Sequence, residues 1–285
     1  MDTHTQNTQV QEKETKGREP LARRTAVVVG ASSGIGRETA KKLVSKGWRV
    51  YNVSRTPYTG ERVRTIPADC ALEGELSHAI REIGEEAGSI ELLVYSAGYS
   101  MAAPIEYAKS GDYRYLFEVN YFGAVEALHA AIPYLFKRGG RAIFVGSLGG
   151  DIPILYDGFY SSSKAALCMF AREADCELRS RGVRVSAFLP GGTATDFTYN
   201  RRIYSRDEAH AYSQEVKKAS AALANMEQGG QDPKFVAEGI LKLAERKNPP
   251  PVKAAGGKNE MMRYFSRIFP ERMTDWAVRK KFNQK

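Results

Sequence analysis

The chain alternates between short apolar runs and longer segments whose apolar residues recur with helical spacing. Runs of four to six residues predict strands at 26–29, 49–53, 64–67, 91–95, 141–146 and 184–188, with a short seventh strand at 251–254. Amphipathic segments predict helices at 37–46, 72–87, 113–137, 158–181 and 233–245. Strands that alternate with helices of this length require right-handed parallel crossovers. The pattern therefore predicts an α/β fold with a doubly wound parallel sheet that is covered on both faces.

A glycine-rich turn follows the first predicted strand. The run Val27–Val29 leads into Gly30, Gly34 and Gly36, and an amphipathic helix comes next. A strand, a glycine turn and a helix in this order are typical of a dinucleotide site, because glycines let the backbone approach a pyrophosphate and the helix N-terminus supplies N–H donors. The alternative is a Gly/Ser-rich turn that binds no ligand.

A second cluster of residues could handle a proton. Tyr160 and Lys164 stand four residues apart in Tyr-Ser-Ser-Ser-Lys, and Ser147 precedes them at the end of a predicted strand. Residues i and i+4 share one face of a helix, so the Lys164 ammonium is expected to lower the pKa of Tyr160 from about 10 toward neutrality. General acid–base catalysis is most effective there. Tyr-x-x-x-Lys alone is also common on ordinary helix surfaces, so the assignment needs the glycine turn as support.

Further motifs follow predicted strands in the right order, and together they resemble the short-chain dehydrogenase/reductase family over roughly residues 24 to 255. The segments that carry the resemblance are the glycine turn, Tyr95-Ser96-Ala97-Gly98, Glu118-Val119-Asn120, the Ser147, Tyr160 and Lys164 set, and Pro190-Gly191-Gly192-Thr193-Ala194-Thr195. The chain departs from the family pattern in three scaffold positions. Tyr95-Ser96 replaces two asparagines, Val29 replaces a threonine, and Thr193 replaces a valine.

The resemblance implies a Rossmann fold and an oxidoreductase. By analogy, Tyr160 protonates a carbonyl oxygen that Ser147 orients, Lys164 binds the nicotinamide ribose, and Asn120 holds a water that connects Lys164 to solvent. These four residues are the predicted catalytic set. The predicted cofactor-binding residues are Gly30, Ser32, Ser33, Gly34, Ile35, Gly36, Arg37, Ser54, Arg55, Asp69, Ala97, Gly98, Asn120, Tyr160, Lys164, Pro190, Gly191, Thr193 and Thr195. No metal site is expected.

The end of the second predicted strand indicates which nicotinamide cofactor is used. An NAD site usually has an acidic residue here, which accepts a hydrogen bond from the ribose 2′-hydroxyl. This chain has neutral Ser54 followed by Arg55, and Arg37 opens the first helix. Because arginine can pair with a 2′-phosphate and a carboxylate would repel it, the sequence favours NADP(H). For Arg37, a solvated helix position is an equally good interpretation. Asp69 is expected near the adenine, with a simple turn residue as the alternative.

Substrate specificity is expected to lie in a lid at residues 196–231. This segment combines four aromatic residues with Arg201, Arg202 and Arg206, and loops at this edge of the fold carry specificity. Apolar residues near the catalytic set predict the walls of an apolar pocket: Leu148, Ile152, Ile154, Leu155, Tyr156 and Phe159. A loose resemblance to the hydroxysteroid and retinol dehydrogenase branch agrees with a bulky apolar carbonyl or alcohol substrate.

The C-terminal segment carries most of the chain's charge. Residues 242–285 contain twelve Lys/Arg and four acidic residues, which gives +8 of the net +9. Apolar residues recur at helical spacing on both sides of Pro270, so residues 258–285 are expected to form two short amphipathic helices. Two interpretations remain open. The extension either docks on the domain through Phe265, Ile268 and Trp276 and leaves a basic face in water, or it makes a peripheral membrane contact.

Composition limits the remaining possibilities. There is no run of 18 apolar residues, and residues 1–22 are polar and expected to be disordered. Cys70, Cys168 and Cys176 have no metal or redox spacing, so buried thiols in a cytoplasmic protein are expected for the last two. The organisation predicted is one Rossmann-fold domain at 23–257 with a C-terminal extension. Helices 113–137 and 158–181 are expected, by resemblance, to pair subunits into a homodimer or homotetramer.

Two other functions would fit parts of the sequence. A non-catalytic regulatory protein that binds NADP(H) would keep the glycine turn, but it would not need Asn120, Ser147, Tyr160 and Lys164 together. A basic membrane-surface binding module would depend on the C-terminal segment alone. Nucleic-acid binding is not expected, because no recognition motif accompanies the charge.

Overall fold

The computed structural model describes residues 24–282. In this range, seven strands form one parallel sheet and two more form a small separate sheet. The strands are β1 (Thr25–Val29), β2 (Arg49–Val53), β3 (Val63–Ile66), β4 (Leu92–Tyr95), β5 (Met101–Ala102), β6 (Arg141–Val145), β7 (Arg184–Leu189), β8 (Arg202–Ile203) and β9 (Val252–Ala254). The main sheet has the order β3-β2-β1-β4-β6-β7-β9, and β5 pairs with β8 in a separate two-stranded sheet. The predicted fold class and all seven predicted strands are confirmed.

Within residues 24–282, ten α-helices connect and cover the strands. They are α1 (Gly34–Ser45), α2 (Glu75–Ala87), α3 (Ser110–Phe117), α4 (Gly123–Leu135), α5 (Gly158–Leu178), α6 (Arg206–Ala209), α7 (Ser213–Gln228), α8 (Pro233–Ala244), α9 (Gly257–Ile268) and α10 (Glu271–Lys281). Helices α1 and α8 pack together on one face of the sheet, and α2 and α4 pack together on the other, where α5 also lies against β7.

The core consists of two apolar layers, one on each face of the sheet. Successive residues of a strand point to opposite faces, so Val27 and Val29 join one layer and Ala26 and Val28 join the other. All five residues of β1 are buried. This double burial explains why the central strands have continuous apolar runs and do not alternate between apolar and polar residues.

One predicted helix is interrupted. Residues 113–137 were expected to form a single helix, but the structure has α3, then a π-helical turn at Glu118–Phe122, then α4. Asn120 lies in this turn. A π-turn inserts an extra residue into the hydrogen-bond ladder and often marks a functional site, and the sequence pattern gives no signal for it because the apolar spacing continues on both sides.

The segment between β7 and α8 forms a layer of its own above the sheet. It includes β8, α6 and α7, and β8 pairs in parallel with β5. The extension α9–α10 follows β9 and is divided at Pro270, as the sequence predicts.

Among the cysteines, Cys168 is buried, but Cys176 is exposed, so the prediction of a buried thiol is wrong for Cys176. The predicted disordered segment 1–22 lies outside the described residues.

Candidate active site

A cavity of about 1620 Å³ lies along the carboxyl edge of the sheet. Parallel strands end at this edge, and ligands of doubly wound sheets bind there, where the strand order reverses. The reversal occurs at β1, which has β2 on one side and β4 on the other. The predicted cofactor residues line the cavity with three exceptions, Gly36, Arg37 and Asn120. The lid and the extension form its outer walls.

The glycine turn fits tightly between the first strands and helix α1. Gly30 has a φ of +84°, and a Cβ atom there would lie 2.8 Å from the backbone nitrogen of Ala97. A Cβ atom on Gly36 would collide with the carbonyl oxygen of Gly30. Gly36 therefore acts by close packing of α1 on the turn, and the open N-terminus of α1 at Gly34 faces the cavity with N–H groups that the helix itself leaves unpaired.

Asn52 holds this turn in place, and sequence reasoning missed it. The side chain is fully buried in β2, and its Oδ1 accepts from the backbone N–H of Ala31 at 2.9 Å. Its Nδ2 donates to Ser54 at 2.9 Å and to Thr65 at 3.2 Å. A polar residue in the middle of an otherwise apolar strand was the signal that could have identified it, because a buried amide requires partners.

Ser147, Tyr160 and Lys164 converge at one place in the cavity, as predicted. Tyr160 and Lys164 occupy successive turns of α5 and are almost completely buried. Ser147 precedes a short 3₁₀ turn, its Oγ accepts from the N–H of Gly149 at 3.0 Å, and its side chain is hydrogen-bonded to Tyr160. The Lys164 Nζ donates to the carbonyl of Val145 at 3.0 Å and lies 5.8 Å from the centre of the Tyr160 ring.

The electrostatics of this cluster differ from the expectation. Burial raises the pKa of Tyr160 above its usual value, and the hydrogen bond from Ser147 offsets only part of this effect. The prediction that Lys164 produces a net decrease in the pKa of Tyr160 is therefore wrong for this structure, where desolvation is the largest effect. Burial also lowers the pKa of Lys164 to about 8, so its ammonium is still mostly protonated at neutral pH.

Asn120 lies directly behind the cavity wall. Its Oδ1 accepts from the N–H of Tyr99, and its Nδ2 donates to the carbonyl of Tyr99 and to the Ser163 hydroxyl, all at 3.0 Å. A Cβ atom on Gly98 would lie 3.0 Å from Asn120 Oδ1 and 3.3 Å from Lys164 Nζ. Because Gly98 has no side chain, Asn120 and Lys164 can both approach it closely. Asn120 itself does not line the cavity.

The far end of the cavity contains the residues predicted to select the cofactor. Arg55 is largely exposed, and its Nη1 lies 3.6 Å from Oδ2 of Asp69. The Ser54 hydroxyl donates to the carbonyl of Thr56 at 2.6 Å. Arg37 lies outside the cavity lining and donates to Thr59 at 3.4 Å. Of the two arginines predicted to select the cofactor, Arg55 therefore lines the cavity and Arg37 does not.

The loop after β7 connects the cofactor region to the lid and the extension. Thr195 caps a 3₁₀ turn, and Thr193 pairs with Gln231 in an isolated bridge. A Cβ atom on Gly191 would lie 2.9 Å from the amide of Asn259 in α9. An open path thus runs from Gly34 along Gly98 to this loop, with small residues throughout, and it fits an extended dinucleotide that ends beside Tyr160 and Lys164.

The predicted substrate walls are only partly correct. Leu148, Ile152 and Ile154 line the cavity, as does Phe197, whose ring centre lies 5.8 Å from that of Tyr160. Three predicted wall residues lie outside the cavity lining: Leu155, Tyr156 and Phe159. Phe159 stacks on Tyr113 with a centroid separation of 4.9 Å, because at the start of α5 its side chain points away from the face that carries Tyr160 and Lys164.

The lid is tied to the body by a buried charge network. The Arg201 guanidinium donates to Glu227 at 2.5 Å and to the Ser100 hydroxyl at 2.8 Å, and Ser100 donates to Asp157 at 3.0 Å. Asp157 directly precedes α5 and is three residues from Tyr160. Burial raises the pKa of Asp157 to about 7, while Arg201 works in the opposite direction. Arg201 of the lid thus connects the lid, through Ser100 and Asp157, to the start of α5.

The extension docks on the body through polar contacts. Asn259 donates to the carbonyl of Ala255 at 2.9 Å, and the Glu260 carboxylate accepts from the N–H of Ala254 at 2.7 Å. Arg263 and Arg267 bind the carboxylate of Asp151 at 2.9 and 3.2 Å. Of the two interpretations that the sequence left open, docking that buries Phe265, Ile268 and Trp276 is wrong, because all three are exposed.

Among residues 24–282, no group of three or more His, Cys, Asp or Glu is placed to hold a metal ion. None of the helices in this range has the length and apolar character needed to cross a membrane.

Comparison with known proteins tests the resemblance. The family model described as short chain dehydrogenase matches residues 24–204. The chain is 30% identical over 257 residues to a 3-ketodihydrosphingosine reductase of Bacteroides thetaiotaomicron, and the match covers 89% of this chain and 96% of that protein. It is 33% identical over 194 residues to the 11-beta-hydroxysteroid dehydrogenase type 2 of Homo sapiens, which covers 64% of this chain and 48% of that protein. A short-chain dehydrogenase from Streptomyces avermitilis shares the fold with a TM-score of 0.76 at 22% identity, over 92% of this chain and 97% of the other. The chain belongs to the short-chain dehydrogenase/reductase family.

Proposed function

We propose that the protein is an NADP(H)-dependent oxidoreductase that interconverts a carbonyl and an alcohol on a bulky apolar, lipid- or steroid-like substrate. The observation that carries this proposal is the convergence of Ser147, Tyr160 and Lys164 at the inner end of a cavity whose outer walls are apolar. A cofactor-binding regulatory protein would not need this arrangement.

The side chains suggest how a carbonyl is reduced. The bound nicotinamide supplies the hydride. Because burial keeps the pKa of Tyr160 high, its phenol is protonated at neutral pH and can donate to the carbonyl oxygen. Ser147 is within hydrogen-bonding reach of Tyr160 and can orient the same oxygen. The Lys164 ammonium stabilises the phenolate that remains, and Asn120 holds the backbone of Tyr99 behind it.

The choice of NADP(H) depends on Arg55. The end of β2 has no acidic residue to accept from a ribose hydroxyl, and the Arg55 guanidinium is exposed at the cavity mouth. Its partner Asp69 is 3.6 Å away, a loose contact that a phosphate dianion can replace by a charge-assisted pair.

The substrate class is supported by the cavity walls and by the relatives. The printed names of the two relatives refer to a ketodihydrosphingosine and to a steroid, both largely apolar. In this chain, Ile152, Met226, Phe265 and Trp276 lie along the outer cavity. A long apolar chain attached to the reacting carbonyl would fill the space between the lid and the extension. A homo-oligomer that pairs through α4, the π-turn before it and α5 remains part of the proposal. Phe122 of the π-turn and Met169 of α5 are exposed.

Turnover with a panel of carbonyl compounds tests the proposal. We expect NADPH oxidation with long-chain ketones or steroid ketones, and a loss of about 10²- to 10⁴-fold in kcat for Tyr160→Phe with unchanged NADPH binding. Tyr115→Phe is the matched control, because Tyr115 lines the cavity but lies outside the catalytic set. If no carbonyl compound is reduced while NADPH binds tightly, the regulatory alternative is correct.

The cofactor preference is tested by measuring kcat/KM for NADPH and for NADH. Arg55→Gln should reduce kcat/KM for NADPH and leave that for NADH nearly unchanged, because only NADPH carries the phosphate. Arg49→Gln is the control, since Arg49 lies at the opposite end of the same strand. An unchanged NADPH-to-NADH ratio in Arg55→Gln would mean that another cation recognises the phosphate.

A further inference from the structure

Helix α9 packs on the body with its polar side and not with its apolar side. An amphipathic surface helix normally turns its apolar side toward the core, but α9 binds the body through Asn259, Glu260, Arg263 and Arg267. Its apolar side is left exposed. Met261, Tyr264 and Ile268, at positions i, i+3 and i+7, form an outer row with 54%, 63% and 57% of their surfaces exposed. An exposed apolar face of this kind marks an interaction site.

A second apolar row of the same helix continues into the cavity. Met262, Phe265 and Phe269 line it, and so do Met273 and Trp276 of α10. The outer and inner rows are adjacent around the helix axis. The exposed face of α9 therefore forms one apolar surface with the cavity that reaches Tyr160.

The charges of α10 indicate what covers this surface. Arg272, Trp276 and Arg279 share one helix face by their i, i+4 and i+7 spacing, Trp276 is 62% exposed, and Lys280 lies 5.0 Å from its ring. Within residues 24–282, no carboxylate lies within 4.0 Å of the cationic groups of Arg272, Arg279, Lys280 or Lys281. Residues 257–282 contain seven Lys/Arg and three acidic residues, a net charge of +4. A tryptophan among free cations is typical of a helix that lies in a lipid interface.

We propose that α9 and α10 dock the protein on an anionic lipid surface and that its apolar substrate enters the cavity between these helices directly from the lipid. The second part rests on the proposed function. A second copy of the chain is a poorer occupant, because a symmetric contact through this surface would bring the same positive charges together. A lipid surface with negative headgroups matches both the apolar rows and the cations.

Co-sedimentation of the full chain with vesicles tests the docking. We expect binding to phosphatidylcholine vesicles that contain phosphatidylserine, much weaker binding to pure phosphatidylcholine, and a decrease as the Debye length falls to about 8 Å at physiological salt. Each cation near an anionic surface contributes about fivefold to binding, so the double variant Arg279→Gln, Lys280→Gln should bind about 25-fold more weakly. Ile268→Gln should also reduce binding strongly. Ile105→Gln is its matched control, because Ile105 is 79% exposed and lies outside the extension.

The possible outcomes separate the alternatives. Binding that depends on phosphatidylserine and is lost in Ile268→Gln, but not in Ile105→Gln, supports the proposal. If the wild-type protein co-sediments with neither type of vesicle, the proposal is wrong. A dimer in size-exclusion chromatography that becomes a monomer in Ile268→Gln also overturns it, because a second copy then covers the surface. Turnover of a short soluble aldehyde, measured without vesicles, tests the reductase assignment separately, so either conclusion can fail alone.

Discussion

The cofactor side and the substrate side of the cavity are stabilised in opposite ways. On the cofactor side, the strands β1, β2 and β4 are buried on both faces, and one amide, Asn52, fixes the glycine turn. On the substrate side, ion pairs with the body hold the lid (Lys109 with Glu208, Asp112 with Arg202) and the extension (Asp151 with Arg263), and large apolar side chains face outward. The first arrangement holds the glycine turn in one position. The second leaves an apolar surface on the lid and the extension, as the proposed bulky substrate requires.

The largest effect is expected from breaking the lid network. Arg201→Met would leave the Glu227 carboxylate buried without its ion-pair partner, which should lower the free energy of unfolding by about 3–5 kcal/mol. The KM for the apolar substrate should rise while the NADPH dissociation constant is unchanged, because Arg201 lies on the substrate side. Urea unfolding and steady-state kinetics measure these quantities.

The double variant Arg201→Met, Glu227→Leu is the control. Replacing both partners of a buried ion pair with apolar residues is often close to neutral, so it should recover most of the lost stability. A single variant as stable as the wild type would show that the network does not hold the lid.

A smaller effect, confined to the cofactor side, is expected for Asn52→Ala. This change leaves the N–H of Ala31 buried without an acceptor, at a cost of about 1–3 kcal/mol. The NADPH dissociation constant, measured by fluorescence titration, should rise, while the substrate KM at saturating NADPH stays the same. Thr65→Val removes an acceptor of both the Asn52 amide and the Tyr58 N–H but leaves the contact between Asn52 and Ala31 in place, so it should change the NADPH dissociation constant less. If substrate KM changes as much as cofactor affinity, the two sides are not independent.

The last effect concerns pH, and it changes the slope of the stability curve rather than the stability at a single pH. Burial raises the pKa of Asp157 from its usual 3.8 to about 7, so the folded protein binds a proton that the unfolded chain has released. This carboxyl group therefore lowers stability as pH rises from about 4 to about 7. Asp157→Asn keeps a side-chain oxygen that can accept from Ser100 and should make the stability curve flatter over this range. Urea unfolding at several pH values checks it, and parallel curves for variant and wild type would contradict it.

The cofactor side could be read from the sequence because its signals are local. Gly30, Gly34 and Gly36 follow a strand within a few residues, and Tyr160 and Lys164 share one face of a helix. Arg201 could not be placed in this way. Its partners Ser100 and Glu227 lie 101 and 26 residues away, and a lid arginine looks the same in a sequence whether it binds substrate, water or a buried carboxylate.

The sequence by itself predicted the seven strands of the main sheet, the doubly wound fold class and the convergence of Ser147, Tyr160 and Lys164, because apolar periodicity and short motifs depend on neighbours along the chain. Tertiary structure decided three other features. Desolvation around α5 set the pKa of Tyr160 and Lys164, the π-turn placed Asn120 behind the cavity wall, and Asp151 bound the polar side of α9 so that its apolar side faces outward. Each depends on how tightly distant segments pack and exclude water, and that property belongs to the folded chain as a whole.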